Sequence, residues 1–143
     1  MAILTGSERK YITRTEGRER LEKIVHFLET ADRFHGVWPH WWNGETGKVK
    51  PFSKKDNGGD LVETSFMIQG LLCVRQYFNE GDARERQLAA RIDKLWKEVE
   101  FDWYRNGKNV LYWHWSPEYT WDMNFAVQGY NACLIMYVLA ASS

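Results

Sequence analysis

The 143-residue sequence predicts an all-α fold, in which two helix hairpins stand as they would in part of an α/α toroid. Three observations predict it. Apolar residues recur at three- and four-residue spacings in four segments. The connections between those segments alternate long and short. The long connections hold most of the eight Trp residues. Long connections at alternate junctions all leave one end of a helical layer, and a toroid builds its ligand-facing side from such loops. A plain four-helix bundle has the same periodicity and stands as an equal reading.

In chain order, residues 1–14 read as an N-terminal extension. A first helix is expected from Thr15 as N-cap, with Leu21, Ile24, Val25, Leu28 and Ala31 on one face and Arg18, Glu22, Lys23 and Glu29 on the other. From Val37 to Phe52 the chain turns aromatic and irregular, around Asn43-Gly44 and Gly47, and reads as a long hairpin loop. A second helix opens at Asp60 and runs to Phe78, apolar on more than one side and therefore well buried. Asn79-Glu-Gly81 stops it. A third helix opens on Asp82-Ala-Arg-Glu85, which has capping-box spacing, and carries Leu88, Ile92, Leu95, Trp96 and Val99. Asn106-Gly107, between Asp102-Trp-Tyr-Arg105 and Val110-Leu-Tyr-Trp-His-Trp115, signals a second aromatic hairpin. A last helix is expected from about Asn124 to Ala141, buried on most sides.

Composition narrows the partners. Nineteen Lys and Arg balance nineteen Asp and Glu, so the bulk positive charge that drives nucleic-acid binding is missing. No apolar run approaches the ~20 residues of a membrane span. Cys73 and Cys133 lie far apart within apolar helical patterns and read as buried free thiols rather than a disulfide. The first ten residues lack the apolar stretch of a secretory signal, which on its face places the chain in the cytoplasm.

The densest polar group is Asp56-Asn-Gly-Gly-Asp60-Leu-Val-Glu63. Asp60 and Glu63 share one side of a helix start, and the Gly58-Gly59 pair lets Asp56 fold over them. The same two acids also fit a capping box, with no role beyond holding the helix end. Trp38, Trp41 and Trp42 precede the acids, and Trp113, Trp115 and Trp121 come from the second loop. Aromatic faces beside carboxylates suit a pyranose, which offers C–H groups to the rings and hydroxyls to the acids. His40 and His114 occupy comparable places in the two loops and can bond sugar hydroxyls. Their spacing is not that of metal ligands, and no metal or cofactor is implied. Glu118 and Asp122 read as solvated loop charges.

The stretches Val37-Trp-Pro-His-Trp-Trp, Asp56-Asn-Gly-Gly-Asp-Leu-Val-Glu-Thr-Ser-Phe-Met-Ile-Gln-Gly-Leu-Leu and Tyr112-Trp-His-Trp-Ser-Pro-Glu-Tyr-Thr-Trp-Asp-Met-Asn-Phe, in that order, resemble the bacterial glycoamylase-like domain family. That family includes the endo-β-1,2-glucanases of glycoside hydrolase family 144. The resemblance runs from about Thr15 to the end and implies part of an (α/α)6 barrel over residues 15–143, inverting hydrolysis of a β-glucan, and a periplasmic or secreted setting. Hydrolysis of other glucans, as by glucoamylases or β-glucosidases, and non-catalytic carbohydrate binding are the alternatives it leaves.

Two departures accompany the resemblance. The family carries Glu directly after the Asn of the motif Gly129-Tyr-Asn131, and this chain has Ala132 there. The resemblance makes that Glu the general acid, and alanine has no proton to give. Asn131 beside it is a candidate sugar contact. The second departure is length: a ring of six helix pairs at the spacing seen here needs roughly 430 residues. The chain is thus expected to be about a third of such a barrel, without the second carboxylate that an inverting enzyme sets ~6.5–9.5 Å from the acid. Negligible catalysis follows, with Asp60, Glu63 and Asp56 left as sugar-binding acids. Uncovered barrel flanks give a reason for self-association.

Overall fold

Each helix starts where a side chain can take up its free amides. The computed structural model describes all 143 residues. A short helix, α1 (Ala2–Glu8), packs on α2 (Arg14–Thr30) and buries Leu4. The Thr13 hydroxyl accepts the Glu16 N–H while Glu16 accepts the Thr13 N–H, a complete capping box. The cap expected at Thr15 is therefore Thr13, because Thr13 has an acid three residues on whereas Thr15 has Arg18. Asp60 caps α3 (Leu61–Phe78), and the Asp82–Glu85 box caps α4 (Ala83–Lys97) as the sequence predicts.

The last helix departs from expectation. Asn124 and Gly129 both have positive φ, +45° and +83°, and a right-handed helix cannot run through them. The segment 124–133 instead forms β4 (Ala126–Val127) and a turn, and α5 is only Leu134–Ser142. Nor is α5 buried on most sides: Met136 and Leu139 enter the core, while Leu134 and Val138 lie on the surface.

α3 is the central helix, packed against α4 and α5, with α2 lying across α4. Val25 and Leu28 of α2, Ile68 and Phe78 of α3, and Leu88 and Ile92 of α4 are sealed from solvent in one core. Arg14 clasps Glu85, and Arg91 clasps Glu29, so α2 and α4 are also tied at their surfaces.

The two aromatic loops are tied to each other as well as to themselves. The first closes on itself through one bridge, Trp42 to Val49. In the second, Asn106-Gly107 does not join two paired strands. Trp103–Arg105 is one turn of 3-10 helix, and β2 (Leu111–Tyr112) pairs antiparallel with the distant β4. The hairpin expected there is overruled because β2 finds its partner further downstream, Leu111 opposite Val127. β3 (His114–Trp115) pairs with β1 (Gly59–Asp60), Gly59 opposite Trp115 and Asp60 opposite His114. That ladder brings the second loop onto the acids at the start of α3.

Candidate functional site

The close approach of β1 and β3 depends on two glycines. A Cβ on Gly58 would overlap the Trp115 carbonyl, and one on Gly59 would overlap the Tyr104 hydroxyl. With both bare, the Asp60 N–H donates to Trp38 O at 2.8 Å and the Leu61 N–H to Trp113 O at 2.8 Å. The ends of both loops are thereby fastened to the first residues of α3. Beside the ladder, Ser116 Oγ donates to Asn57 Oδ1 at 2.6 Å and Asn57 Nδ2 donates to Glu118 Oε2 at 3.0 Å. Glu118 is thus a tie between the loops, while Asp122 pairs with Lys55 at 3.2 Å.

Asp60 is fully buried and its carboxylate receives three donors. Oδ1 accepts the Glu63 N–H at 2.9 Å, the capping bond. Oδ2 accepts Trp113 Nε1–H at 2.9 Å and His40 Nδ1–H at 3.0 Å. Since a carboxylate oxygen only accepts, the His40 proton is on Nδ1, leaving Nε2 of that half-buried ring able to meet a ligand. Glu63 does not return the capping bond, because the Asp60 N–H is taken by Trp38 O. Its carboxylate is exposed on the first turn of α3 and lines a cavity of about 120 Å³ with Pro39, His40, Trp42 and Met67. The capping reading holds for Asp60 and fails for Glu63.

Asp56 is 9% exposed and accepts no side-chain or backbone donor. Burial, with Asp60 beside it, holds its carboxyl above the usual range. His114, 3% exposed, accepts the Gly58 N–H on Nε2 at 3.2 Å and lies with that nitrogen 3.4 Å from Asp56 Oδ1. Burial pulls its pKa down, so its neutral form is favoured. One oxygen of each acid and a nitrogen of His40 come within 4.8 Å of one another. His40 Nδ1 is the donor to Asp60, so the trio is held together as a hydrogen-bonded acid cluster.

The tryptophans divide. Trp41 and the unforeseen Phe52, both about half exposed, flank His40 with centroids 5.6 and 4.5 Å from its ring. Trp113 reaches Asp60 from the other side and is edge-on to exposed Phe125. These rings frame the acids. Trp38 does not: it is sealed in the core, its Nε1–H donates to Leu28 O at 3.0 Å, and Arg33 covers its ring. Its rank as a sugar platform is corrected by that burial. Trp42 packs edge-on against Phe27 and borders the cavity beside Glu63. Trp115 and Trp121 join His35, Trp103, Tyr104 and Tyr112 in a second aromatic cluster that ties the second loop to the body. Phe52 and Phe125 left no signal in the sequence beyond a single Phe in a polar stretch.

Asn131 is exposed, and its side chain is used locally: Oδ1 accepts the Cys133 N–H at 2.8 Å and Nδ2 donates to Gln128 O at 3.0 Å. Ala132 is exposed on the same turn, where α5 begins against α3. The next side chain, Cys133, is a buried free thiol whose pKa is raised by burial and by the charges of Asp60 and Glu63. Position 132 thus precedes a residue that feels the charge of both acids.

No family model matches the chain. A curated protein named exo β-1,2-glucooligosaccharide sophorohydrolase (non-reducing end), from Parabacteroides distasonis, is 54% identical over 98% of this chain and 20% of its own length. The solved structure of an endo-β-1,2-glucanase from Chitinophaga pinensis, in complex with sophorotriose and glucose, is 76% identical over 99% of this chain and 34% of its own, with a TM-score of 0.98. A β-1,2-glucanase structure from Parabacteroides distasonis is 52% identical over 96% of this chain and 20% of its own, with a TM-score of 0.93. The chain spans a fifth to about a third of these relatives.

Proposed function

Related along nearly all of its length to proteins named for hydrolysis of β-1,2-glucan and its oligosaccharides, this chain, we propose, forms the glucan-binding acid cleft of such an inverting hydrolase. The observation that carries the reading is Asp60, buried and fixed by Trp113, His40 and the Glu63 amide, with exposed Trp41, Phe52 and Phe125 around it. Supporting it is the high identity to a glucanase solved with sophorotriose. Glu63 and His40 Nε2 meet sugar hydroxyls, and Trp41 meets a ring face. The helical layer of α2 to α5 is part of an (α/α)6 toroid, whose setting is periplasmic or secreted. Ala132 stands where the acid of the resembling family would be, so this chain binds glucan without cleaving it appreciably.

The test is titration of the 143-residue protein with sophorotriose by calorimetry, alongside a reducing-sugar assay on linear β-1,2-glucan. Saturable binding with no product release is expected. Absence of binding at millimolar sugar would overturn the reading, and so would turnover comparable to a complete glucanase. Phe66 on α3 and Leu134 and Val138 on α5 are exposed apolar side chains at the edges of the helical layer. They make self-association of the chain part of the same proposal.

A further inference from the structure

Two carboxyl groups approach within 4.8 Å in a buried setting, and their surroundings are unequal. Like charges so placed repel, which favours a proton on one of the two. The donor inventory decides which. Asp60 receives the Glu63 N–H, Trp113 Nε1–H and His40 Nδ1–H, which together compensate a full negative charge. Asp56 receives none, and its Oδ1 is out of contact with solvent. What Oδ1 faces is His114 Nε2, 3.4 Å away. That nitrogen is unprotonated, and its single lone pair is taken by the Gly58 N–H. A bare carboxylate oxygen against an unprotonated ring nitrogen is repulsive, whereas a neutral carboxyl group is not.

We propose that Asp56 and Asp60 share one negative charge, which rests on Asp60, and that Asp56 is a proton-bearing acid facing His114 Nε2. The Gly58 N–H bond to that nitrogen fastens the Asp56–Gly58 strap across the second loop, and a neutral Asp56 sits beside it without repelling the ring nitrogen. The groups facing Asp56 are His114 from β3, Asp60 from β1 and His40 from the first loop; the neighbouring Lys55 is turned to Asp122. Of these, Asp60 opposes loss of the Asp56 proton, while His114 and His40 favour it only when they are themselves charged. Both desolvated partners disfavour charging, so the neutral acid and neutral imidazole are the stable pair. Asp56 is thus a positioning residue of the cleft: its proton keeps a second negative charge away from Asp60 and keeps the strap closed. Losing that proton at higher pH loosens the strap and weakens whatever binds against Asp60. The effect on binding rests on the glucan reading above, but the protonation state does not.

Carbon-13 NMR of the aspartate carboxyl groups in the intact protein tests this directly. The Asp56 resonance, identified by its absence in Asp56→Asn, is expected to titrate above the ordinary aspartate value of ~3.9. In Asp60→Asn its midpoint falls, because the neighbouring charge is gone. Calorimetry with sophorotriose adds a second reading: affinity falls on the alkaline side of the Asp56 midpoint, and that fall is absent in Asp56→Asn. A midpoint at or below ~3.9 overturns the proposal whether or not the sugar binds. A raised midpoint with no sugar binding leaves the shared charge standing and removes the glucan reading instead.

Discussion

Replacing Asp60 by Ala and, separately, Glu63 by Ala compares two acids on one helical turn that differ only in what they hold. Asp60→Ala removes the side-chain cap of α3, worth ~1 kcal/mol. It also strips the acceptor from Trp113 Nε1–H and His40 Nδ1–H, and each donor left unpaired out of water costs ~1–3 kcal/mol. The sum is about 3–7 kcal/mol, which overlaps the range of about 3–5 kcal/mol for removing one member of a buried polar cluster. For a chain of this size that lowers the melting midpoint by roughly 10 °C or more. Glu63 accepts no bond and is exposed, so Glu63→Ala is expected to move the midpoint by less than about 2 °C. Circular dichroism melts at neutral pH measure both, and the fluorescence of Trp113 reports the lost partner. If the two variants melt together, Asp60 is not the organising group of this cleft and the hydrogen-bond geometry built on it is wrong.

Trp38 and Trp41 offer the same kind of contrast. Trp38→Ala is expected to cost about 3–5 kcal/mol in urea unfolding, because it empties a sealed site. Trp41→Ala leaves stability unchanged but reduces sophorotriose affinity roughly tenfold; equal stability losses would refute the division of the tryptophans. The pH dependence of stability should carry the mark of His114. Its folded pKa is depressed, so below ~6.5 the unfolded chain takes up a proton that the folded chain refuses, and stability is lost as pH falls. Compared with His114→Gln, the native protein should lose up to ~1.4 kcal/mol more per pH unit in that window; parallel pH profiles would contradict a neutral buried imidazole. Finally, sedimentation of the native chain should depend on concentration, and Phe66→Asp combined with Val138→Lys should abolish that dependence. A native chain that sediments as a monomer at all concentrations removes the self-association proposal.

Local chemistry was legible in the sequence, and long-range pairing was not. Asp82 with Glu85 and Asp60 before Leu61 mark helix starts because a cap needs only a side chain and an amide three residues on. Thr13 rather than Thr15 caps α2 because only Thr13 has an acid three residues on to complete the box. The expected helix from Asn124 failed because apolar periodicity says nothing about two residues at positive φ. The Asn106-Gly107 signal failed because a turn proposes a neighbour and the ladder disposes otherwise: β2 has a better partner in β4. α1 went unread because its seven residues, with Gly6 near the middle, show no contrast between faces.

The site shows the same boundary from the other side. Composition singled out tryptophans and acids, and the cluster of Asp56, Asp60, His40, His114 and Trp113 is drawn from that set. Which of them face a ligand depends on the β1–β3 ladder, and no residue in either strand encodes that pairing by itself. The ladder sets Asp60 opposite His114, and the Leu61 N–H bond to the Trp113 carbonyl fixes where the Trp113 side chain begins. Trp113 then reaches Asp60, whereas Trp115, two residues on, turns to Trp103 and His35. Ala132 supports none of this arrangement: neither Asp60 nor His114 draws a hydrogen bond from the turn at 129–133. A cleft can therefore keep its acids, rings and loop pairing intact while the residue at 132 is changed, which is the structural basis of the proposed separation of binding from bond cleavage.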